Sequence, residues 1–347
     1  MSNNSKYYDG TKLLSMSDIN GNKPEIYICS GNRTAGKTVY FNRLCVNKFL
    51  NTGQKFMILY RFNYEVDNVA EKFFKDINGL FFKDNVMESS RKEKGLYHEL
   101  YIDGASCGYA VSLNSADQIK KNAHLFSDTS RMIFDEFQSE TNNYCNKEIE
   151  KLFSIHTSVA RGQGEQVRYV PVYMISNNVS LINPYFVALG ISNRLSKETK
   201  FLRGDGFVLE QCFNESAAEA QEKSAFNRAF KTSNYATYSS QGVYLNDNIA
   251  FIEKPKGRNR YFCTLKYGGV CYGVREYIDL GIVYCDDKPD MTHPLKISVT
   301  TDDHNINYVM LHQFDTIIGG LRFYFERGCF RFKNLKCKEV ILNAVSY

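Results

Sequence analysis

The chain has 347 residues, 43% of them hydrophobic, and a formal net charge of +5. That is apolar material for packed cores and length for two domains, which excludes wholesale disorder. No apolar run reaches membrane-span length and Met1-Ser2-Asn3-Asn4-Ser5 has no apolar signal segment, so a soluble cytoplasmic protein without a membrane partner is expected. The ten cysteines form no C-x-x-C pair, and most, such as Cys29, Cys263 and Cys271, lie in apolar runs as buried reduced thiols do. The mild positive charge permits a nucleic-acid partner without demonstrating one.

In chain order, Glu25-Ile26-Tyr27-Ile28-Cys29-Ser30 reads as a strand and Thr38 to Cys45 as the start of a helix. Between them Gly31-Asn32-Arg33-Thr34-Ala35-Gly36-Lys37-Thr38 fits G-x-x-x-x-G-K-[ST]. Strand, glycine loop and helix are the context in which this pattern binds a nucleotide. The glycines let backbone N–H groups curl around a polyphosphate, and the helix N-terminus adds its positive dipole end. Lys37 is expected on the β- and γ-phosphates and Thr38 on Mg²⁺. Arg33, within the loop, is structural or reads the γ-phosphate or a neighbour.

Lys55 to Tyr60 is a second strand, and Val66, Val69, Ala70, Phe73, Phe74 and Ile77 recur at helical spacing. Leu100-Tyr101-Ile102 and Tyr109-Ala110-Val111 flank Asp103-Gly104, a hairpin signal. Met132-Ile133-Phe134 is a short strand ending in Asp135-Glu136, the form of a Walker B segment. Asp135 would hold Mg²⁺ through water opposite Thr38, and Glu136 would deprotonate the attacking water. Ile149, Leu152, Phe153, His156 and Val159 follow on one helical face, and Val170 to Ile175 is a further strand. Asn177, just past it, is a γ-phosphate contact or a plain turn residue. Arg161, behind a helix and beside Gly162-Gln163-Gly164, is either a finger entering a neighbouring subunit's site or a cation on a helix end. The β-α-β alternation predicts an α/β domain with a mainly parallel sheet.

Basic stretches at Lys83, Arg91, Lys92 and Lys94 and at Lys120-Lys121 read as loops, the latter a candidate DNA contact. Beyond about Leu195 the character changes. Glu215 to Phe230 reads as one helix. Ile249 to Ile252, Arg260 to Leu265, Val270 to Val274 and Gly281 to Tyr284 then read as antiparallel strands joined at turns such as Lys256-Gly257 and Gly268-Gly269. The expected layout is an ATPase domain over 1–195, a helical linker over 196–235 and a smaller α+β domain over 236–347. Lys254, Lys256, Arg258 and Arg260 crowd one expected hairpin tip, a candidate phosphate or RNA contact or else a solubilising, edge-protecting cluster.

Taken together, Lys12-Leu13-Leu14-Ser15, the loop Gly31 to Thr38 with Arg33 inside it, Phe134-Asp135-Glu136-Phe137, Arg161, Ser176-Asn177 and Asn183-Pro184-Tyr185-Phe186 resemble the DNA-packaging ATPases (encapsidation proteins) of the small podophages, the Picovirinae. The likeness is specific over 1–190 and looser beyond. It implies an ASCE-type P-loop ring motor, pentameric, that uses ATP and Mg²⁺ to drive double-stranded DNA into a procapsid at the portal vertex in the host cytoplasm. It also implies Lys37 as the Walker A lysine, Asp135 and Glu136 as the Walker B pair, and Arg161 as the trans finger. A structural RNA partner stays open. Around Gly162 to Gln166 the chain is glycine-rich where relatives are more basic. The second domain is expected to resemble a degenerate RNase H-like nuclease. Glu253, Asp279, Asp286, Asp287, Asp302 and Asp303 do not converge on strand positions as a two-metal site needs. The rival readings are a P-loop helicase or other nucleic-acid remodeller, a nucleotide-gated assembly scaffold and a metabolite kinase.

Overall fold

The computed structural model describes residues 7–67, 70–161, 164–191, 194–195, 199–230, 250–313 and 315–346. The chain forms two compact units: Met1–Phe137, Glu148–Asn178 and Ser196–Val243 make the first, and Gln138–Lys147, Val179–Leu195 and Tyr244–Tyr347 the second.

The first unit is built on nine strands: β1 Ile26–Gly31, β2 Lys55–Tyr60, β3 Met87–Lys92, β4 Tyr97–Ile102, β5 Ala105–Ser112, β6 Thr129–Asp135, β7 Val172–Asn177, β8 Phe201–Gly204 and β9 Phe207–Cys212. Their order is β3-β4-β5-β2-β6-β7-β1-β9-β8. The run from β5 to β9 is parallel, and antiparallel strands β3, β4 and β8 complete the two edges. The apolar runs read from the sequence are thus the parallel centre of the sheet. Tyr27, Cys29, Phe56, Ile58, Ile133, Tyr173 and Ile175 pack in one core with Leu13 of α1 (Thr11–Leu14) and Phe41, Cys45 and Val46 of α2 (Lys37–Thr52). The alternate residues Ile28, Met57, Leu59, Met132, Phe134 and Met174 are buried too, as a strand covered on both faces requires.

Several expectations change. The supposed linker over 196–235 contains β8 and β9, and β9 pairs directly with the phosphate-loop strand β1. The helix over Glu215–Phe230 is two, α8 (Glu215–Lys223) and α9 (Ala225–Ala229), because Ser224 is extended and its side chain caps the second. The periodic stretch from Val66 splits into α3 (Asn63–Val66), a π-helical turn Ala70–Phe74 and α4 (Lys75–Phe81), with Val69 outside the described residues. Arg91 and Lys92 lie on the edge strand β3 rather than in a loop, where charge guards an open edge. Two further helices matter below, α5 (Ala116–Lys121) and α6 (Glu148–Ala160). On α6, Phe153 is 72% exposed while Ile155, Ser158 and Val159 are buried, so the buried face is rotated from the one the apolar spacing suggested.

The second unit has a six-stranded sheet in the order β14-β13-β10-β11-β12-β15, with β10 Arg260–Tyr267, β11 Val270–Tyr277, β12 Ile282–Asp286, β13 Lys296–Ser298, β14 Val309–Met310 and β15 Phe330–Phe332. The first three strands are antiparallel as expected, whereas β13, β14 and β15 join in parallel. Its core takes Ile182, Cys263, Leu265, Val274, Val283 and Ile297 with residues of α10 (Asp315–Glu326) and α11 (Leu335–Val345). The sequence segment Asn183-Pro184-Tyr185-Phe186 starts α7 (Pro184–Ala188), which Asn183 caps by accepting from the Tyr185 and Phe186 amides. Phe251 makes only an isolated bridge to Phe332; Ile249 lies outside the described residues. All ten cysteines are free thiols; Cys29 and Cys263 are buried, and Cys271 is half-buried. Among the described residues no helix is long and apolar enough to cross a membrane.

Candidate nucleotide-binding site

The C-terminal ends of the parallel strands meet at one edge, where ligands of open parallel sheets bind. β1 delivers the glycine loop there. A Cβ on Gly31 would lie 2.3 Å from both the carbonyl oxygen and the Sγ of Cys212, so only glycine lets β1 run this close to β9. Gly36, at φ +92°, turns the chain into α2, whose N-terminus no side chain caps. The first N–H groups of α2 are left for a ligand or water.

Lys37 is buried at the start of α2. Its Nζ donates to the Asn32 carbonyl at 2.8 Å and to Asn177 Oδ1 at 3.4 Å. Asn177 stands at the end of β7, directly beside Gly31 in register. Asn32 contributes its carbonyl only, since its side chain exchanges two hydrogen bonds with the Asn214 backbone, at 3.0 and 2.9 Å.

β6 supplies the acids. Burial pushes the Asp135 carboxyl up, to about 6, and the adjacent Glu136 carboxylate adds to the rise, against hydrogen bonds from the Thr38 hydroxyl and the Glu136 amide. A carboxylate surplus beside a hydroxyl offers hard oxygen donors, a set that fits Mg²⁺. Glu136 is exposed and left-handed at φ +56°. Its carbonyl accepts from Arg61 at 3.2 and 3.3 Å, and the same guanidinium reaches the Phe137 carbonyl at 2.8 Å. Arg61, just past β2, is held in turn by Glu148 of α6, with its Nε 2.9 Å from one carboxylate oxygen. The catalytic candidate is thereby fixed through its backbone while its carboxylate stays in solvent.

Thr34, Ala35, Gly36, Lys37, Thr38, Asp135, Glu136, Ser176 and Asn177 all line one cleft of about 650 Å³. Ser176 Oγ, buried in its wall, has no protein partner. Gly31 and Asn32 are buried and Arg33 is half-buried, and none of the three lines the cleft. The cleft is also lined by the aromatic and apolar Tyr7, Tyr8, Tyr40, Leu80 and Phe81 and by Arg43. Sequence reasoning missed these residues and the Arg61–Glu148 clamp. The only signal for Arg61 was a charge ending an apolar parallel strand.

The remaining sequence candidates are dispersed. Arg161 is exposed immediately after α6, its Nε on the Thr157 carbonyl at 3.2 Å; Gly162 and Gln163 lie outside the described residues. Lys120 and Lys121 are exposed on the last turn of α5. In the second unit the expected basic hairpin tip is instead a loop leading into β10. There Lys254 faces Asp286 at 3.9 Å and Arg260 pairs with Glu276 at 2.7 Å, while Lys256 and Arg258 are exposed. Asp286, expected to be poorly placed, is a buried strand end, and Arg275 holds it at 2.5 Å.

The sequence pattern of the Podovirus DNA encapsidation protein (Gp16) family matches residues 2–346. The chain belongs to this family. It is a phage DNA-packaging protein, similar to the DNA packaging proteins of Bacillus phages phi29 and PZA, each 26% identical over 340 residues that cover 97% of this chain and 96% of theirs. A solved structure of the bacteriophage Phi-29 viral genome packaging motor assembly matches with 26% identity and a TM-score of 0.56, covering 98% of this chain and 97% of that one. The Phi-28 gp11 DNA packaging motor shares the fold at a TM-score of 0.60 and 16% identity, over 99% and 98% of the two chains.

Proposed function

We propose that this packaging protein hydrolyses ATP and couples hydrolysis to translocation of double-stranded DNA into a procapsid, as one subunit of a five-membered ring at the portal vertex in the host cytoplasm. The observation that carries the reading is the convergence of Lys37, Thr38, Asp135, Glu136 and Asn177 on one cleft. Loop amides and Lys37 bind the triphosphate. Thr38 Oγ and Asp135 would hold Mg²⁺, which when bound neutralises charge on the β- and γ-oxygens. Glu136 takes a proton from a water whose oxygen attacks the γ-phosphorus. The bond to the β,γ-bridging oxygen breaks, ADP leaves with the electron pair, and phosphate is released. Asn177, already touching Lys37, is placed to sense the loss of the γ-phosphate. Arg161 of a neighbour completes the site. Arg161 also serves the end of its own helix, with its Nε on the Thr157 carbonyl at 3.2 Å, a role shared by Arg168, whose guanidinium reaches the Val159 carbonyl at 2.7 Å and whose amide reaches that of Ala160 at 2.8 Å. Exposed Lys120, Lys121, Lys256 and Arg258 are candidate phosphate contacts on nucleic acid. A Glu136→Gln variant should bind ATP yet release phosphate about 10²–10⁴-fold more slowly; native turnover in that variant would remove Glu136 from the mechanism.

We further propose that the second unit is a catalytically silent relative of RNase H-like nucleases. Three antiparallel strands, β12-β11-β10, continued by parallel β13 and β14, support that topology. β10 and β13 carry no acid, and Asp286 and Asp303 are spent on structure, the latter accepting from the Gly268 and Gly269 amides at 2.8 and 2.7 Å.

A further inference from the structure

Glu210 is a buried carboxylate that the hydrolytic mechanism leaves unused. It lies on β9, 6% exposed, in register with Cys29 of β1 and Phe201 of β8. Burial raises its carboxyl above the ordinary range, against a hydrogen bond from Tyr8. That bond is 2.8 Å from the Tyr8 hydroxyl to Glu210 Oε2. Tyr8 belongs to a short strap that lies on the phosphate loop. Its amide donates to the Ala35 carbonyl at 2.7 Å, and a Cβ on Gly36 would meet Tyr7 Cβ at 3.5 Å. The strap then passes over α2 so closely that a Cβ on Gly10 would fall 2.6 Å from the Tyr40 ring. The Tyr8 ring meets Tyr40 edge-on, 5.5 Å between centroids.

We propose that Glu210 is a positioning residue for the nucleotide site: by anchoring Tyr8 it holds the strap as the wall against which the base of the nucleotide packs. The inference rests on the nucleotide reading of the cleft and deepens it. In that reading the glycine loop grips phosphate through its backbone and Lys37. The same cleft offers the rings of Tyr7, Tyr8, Tyr40 and Phe81, with the Arg43 guanidinium 4.4 Å over the Phe81 ring. Flat rings with few polar atoms suit a base held by stacking, an interaction that tolerates any base. Two wall residues come from the strap, and Glu210 holds one of them, Tyr8, by a hydrogen bond from the sheet. Losing a hydrogen bond to a buried charge corresponds to about tenfold or more in affinity.

The test compares binding of ATP and of inorganic tripolyphosphate, each with magnesium, to the full chain and to Glu210→Ala, Glu210→Gln and Tyr8→Phe. Native chain should bind ATP more tightly than tripolyphosphate. Glu210→Ala and Tyr8→Phe should lose about tenfold for ATP and little for tripolyphosphate, and Glu210→Gln, which keeps an acceptor for the Tyr8 hydroxyl, should recover most of the loss. Tyr8→Phe leaves the sheet untouched and carries the test if Glu210→Ala does not fold. Equal losses for both ligands, or no loss for either, overturn the assignment. A native chain that binds neither ligand overturns the nucleotide reading beneath it instead.

Discussion

Arg61 and Glu148 share a site where each side chain is almost wholly enclosed, 7% and 2% exposed. Removing one member strands the other charge without solvent, at a cost of about 3–5 kcal/mol. Arg61→Met should therefore lower the urea midpoint strongly. The double change Arg61→Met with Glu148→Leu should recover part of the loss, and equal midpoints for single and double variants would contradict the pairing. Gly31→Ala drives a methyl into the Cys212 backbone, an overpacking worth about 1–3 kcal/mol of stability, read by the same titration. His156 and Glu25 add a pH dependence. Burial disfavours the imidazolium, yet hydrogen bonds to Glu25 and the Val170 carbonyl and the Glu25 charge outweigh it, raising His156 above 6.5. Burial likewise opposes the Glu25 charge, and the bonds from His156 and the Val170 amide bring it below 4.5. The histidine contribution is full below 6.5 and fades as pH climbs through the raised value. The glutamate contribution is present above 4.5 and fades as pH falls through the lowered one. His156→Gln should cost stability near pH 6 and little near pH 9; an equal cost at both would refute the pair. At this scale the loop and Walker B residues were legible because their chemistry demands fixed types at fixed spacing. Tyr8, Arg61 and Glu210 were not, because each matters through a partner far along the chain, at Glu210, Glu148 and Tyr8.

Among the elements, apolar runs such as Lys55 to Tyr60 announced the parallel centre of the sheet. β8 and β9 stayed hidden because Arg203, Glu210 and Gln211 interrupt their apolar residues, and the buried Glu210 is satisfied by a hydrogen bond from the distant Tyr8. The break between α8 and α9 depends on one serine adopting an extended backbone, which helix-forming composition conceals. α6 carries the most consequential element-level prediction. It runs from the Arg61 clamp at Glu148 to just before Arg161, so it links the backbone of Glu136 to the arginine proposed as a neighbour's finger. Arg161→Ala should be inactive alone and should regain DNA-stimulated phosphate release when mixed with a Lys37→Ala subunit, since each repairs a different half of a shared site. Mixtures without any recovery would argue that Arg161 acts within its own chain or not at all.

For the whole molecule, the two sheets were foreseen but their boundaries were not. Gln138–Lys147 and Val179–Leu195 belong to the second unit although they lie within the stretch 1–195 expected to form the first domain, and no change of composition marks them. The second sheet places Lys296, Ile297 and Ser298 on β13, where a two-metal nuclease would need acids. Incubated with plasmid DNA and Mn²⁺, the protein should leave the DNA intact; specific cleavage abolished by Asp→Ala changes would reverse that reading. The central claim is the nucleotide itself. Equilibrium binding of radiolabelled ATP with magnesium should give saturable retention by the native chain and a loss of about a hundredfold or more in Lys37→Ala, which lacks the ammonium proposed to bind the phosphates. No retention by the native chain, or equal retention by both, would contradict the account.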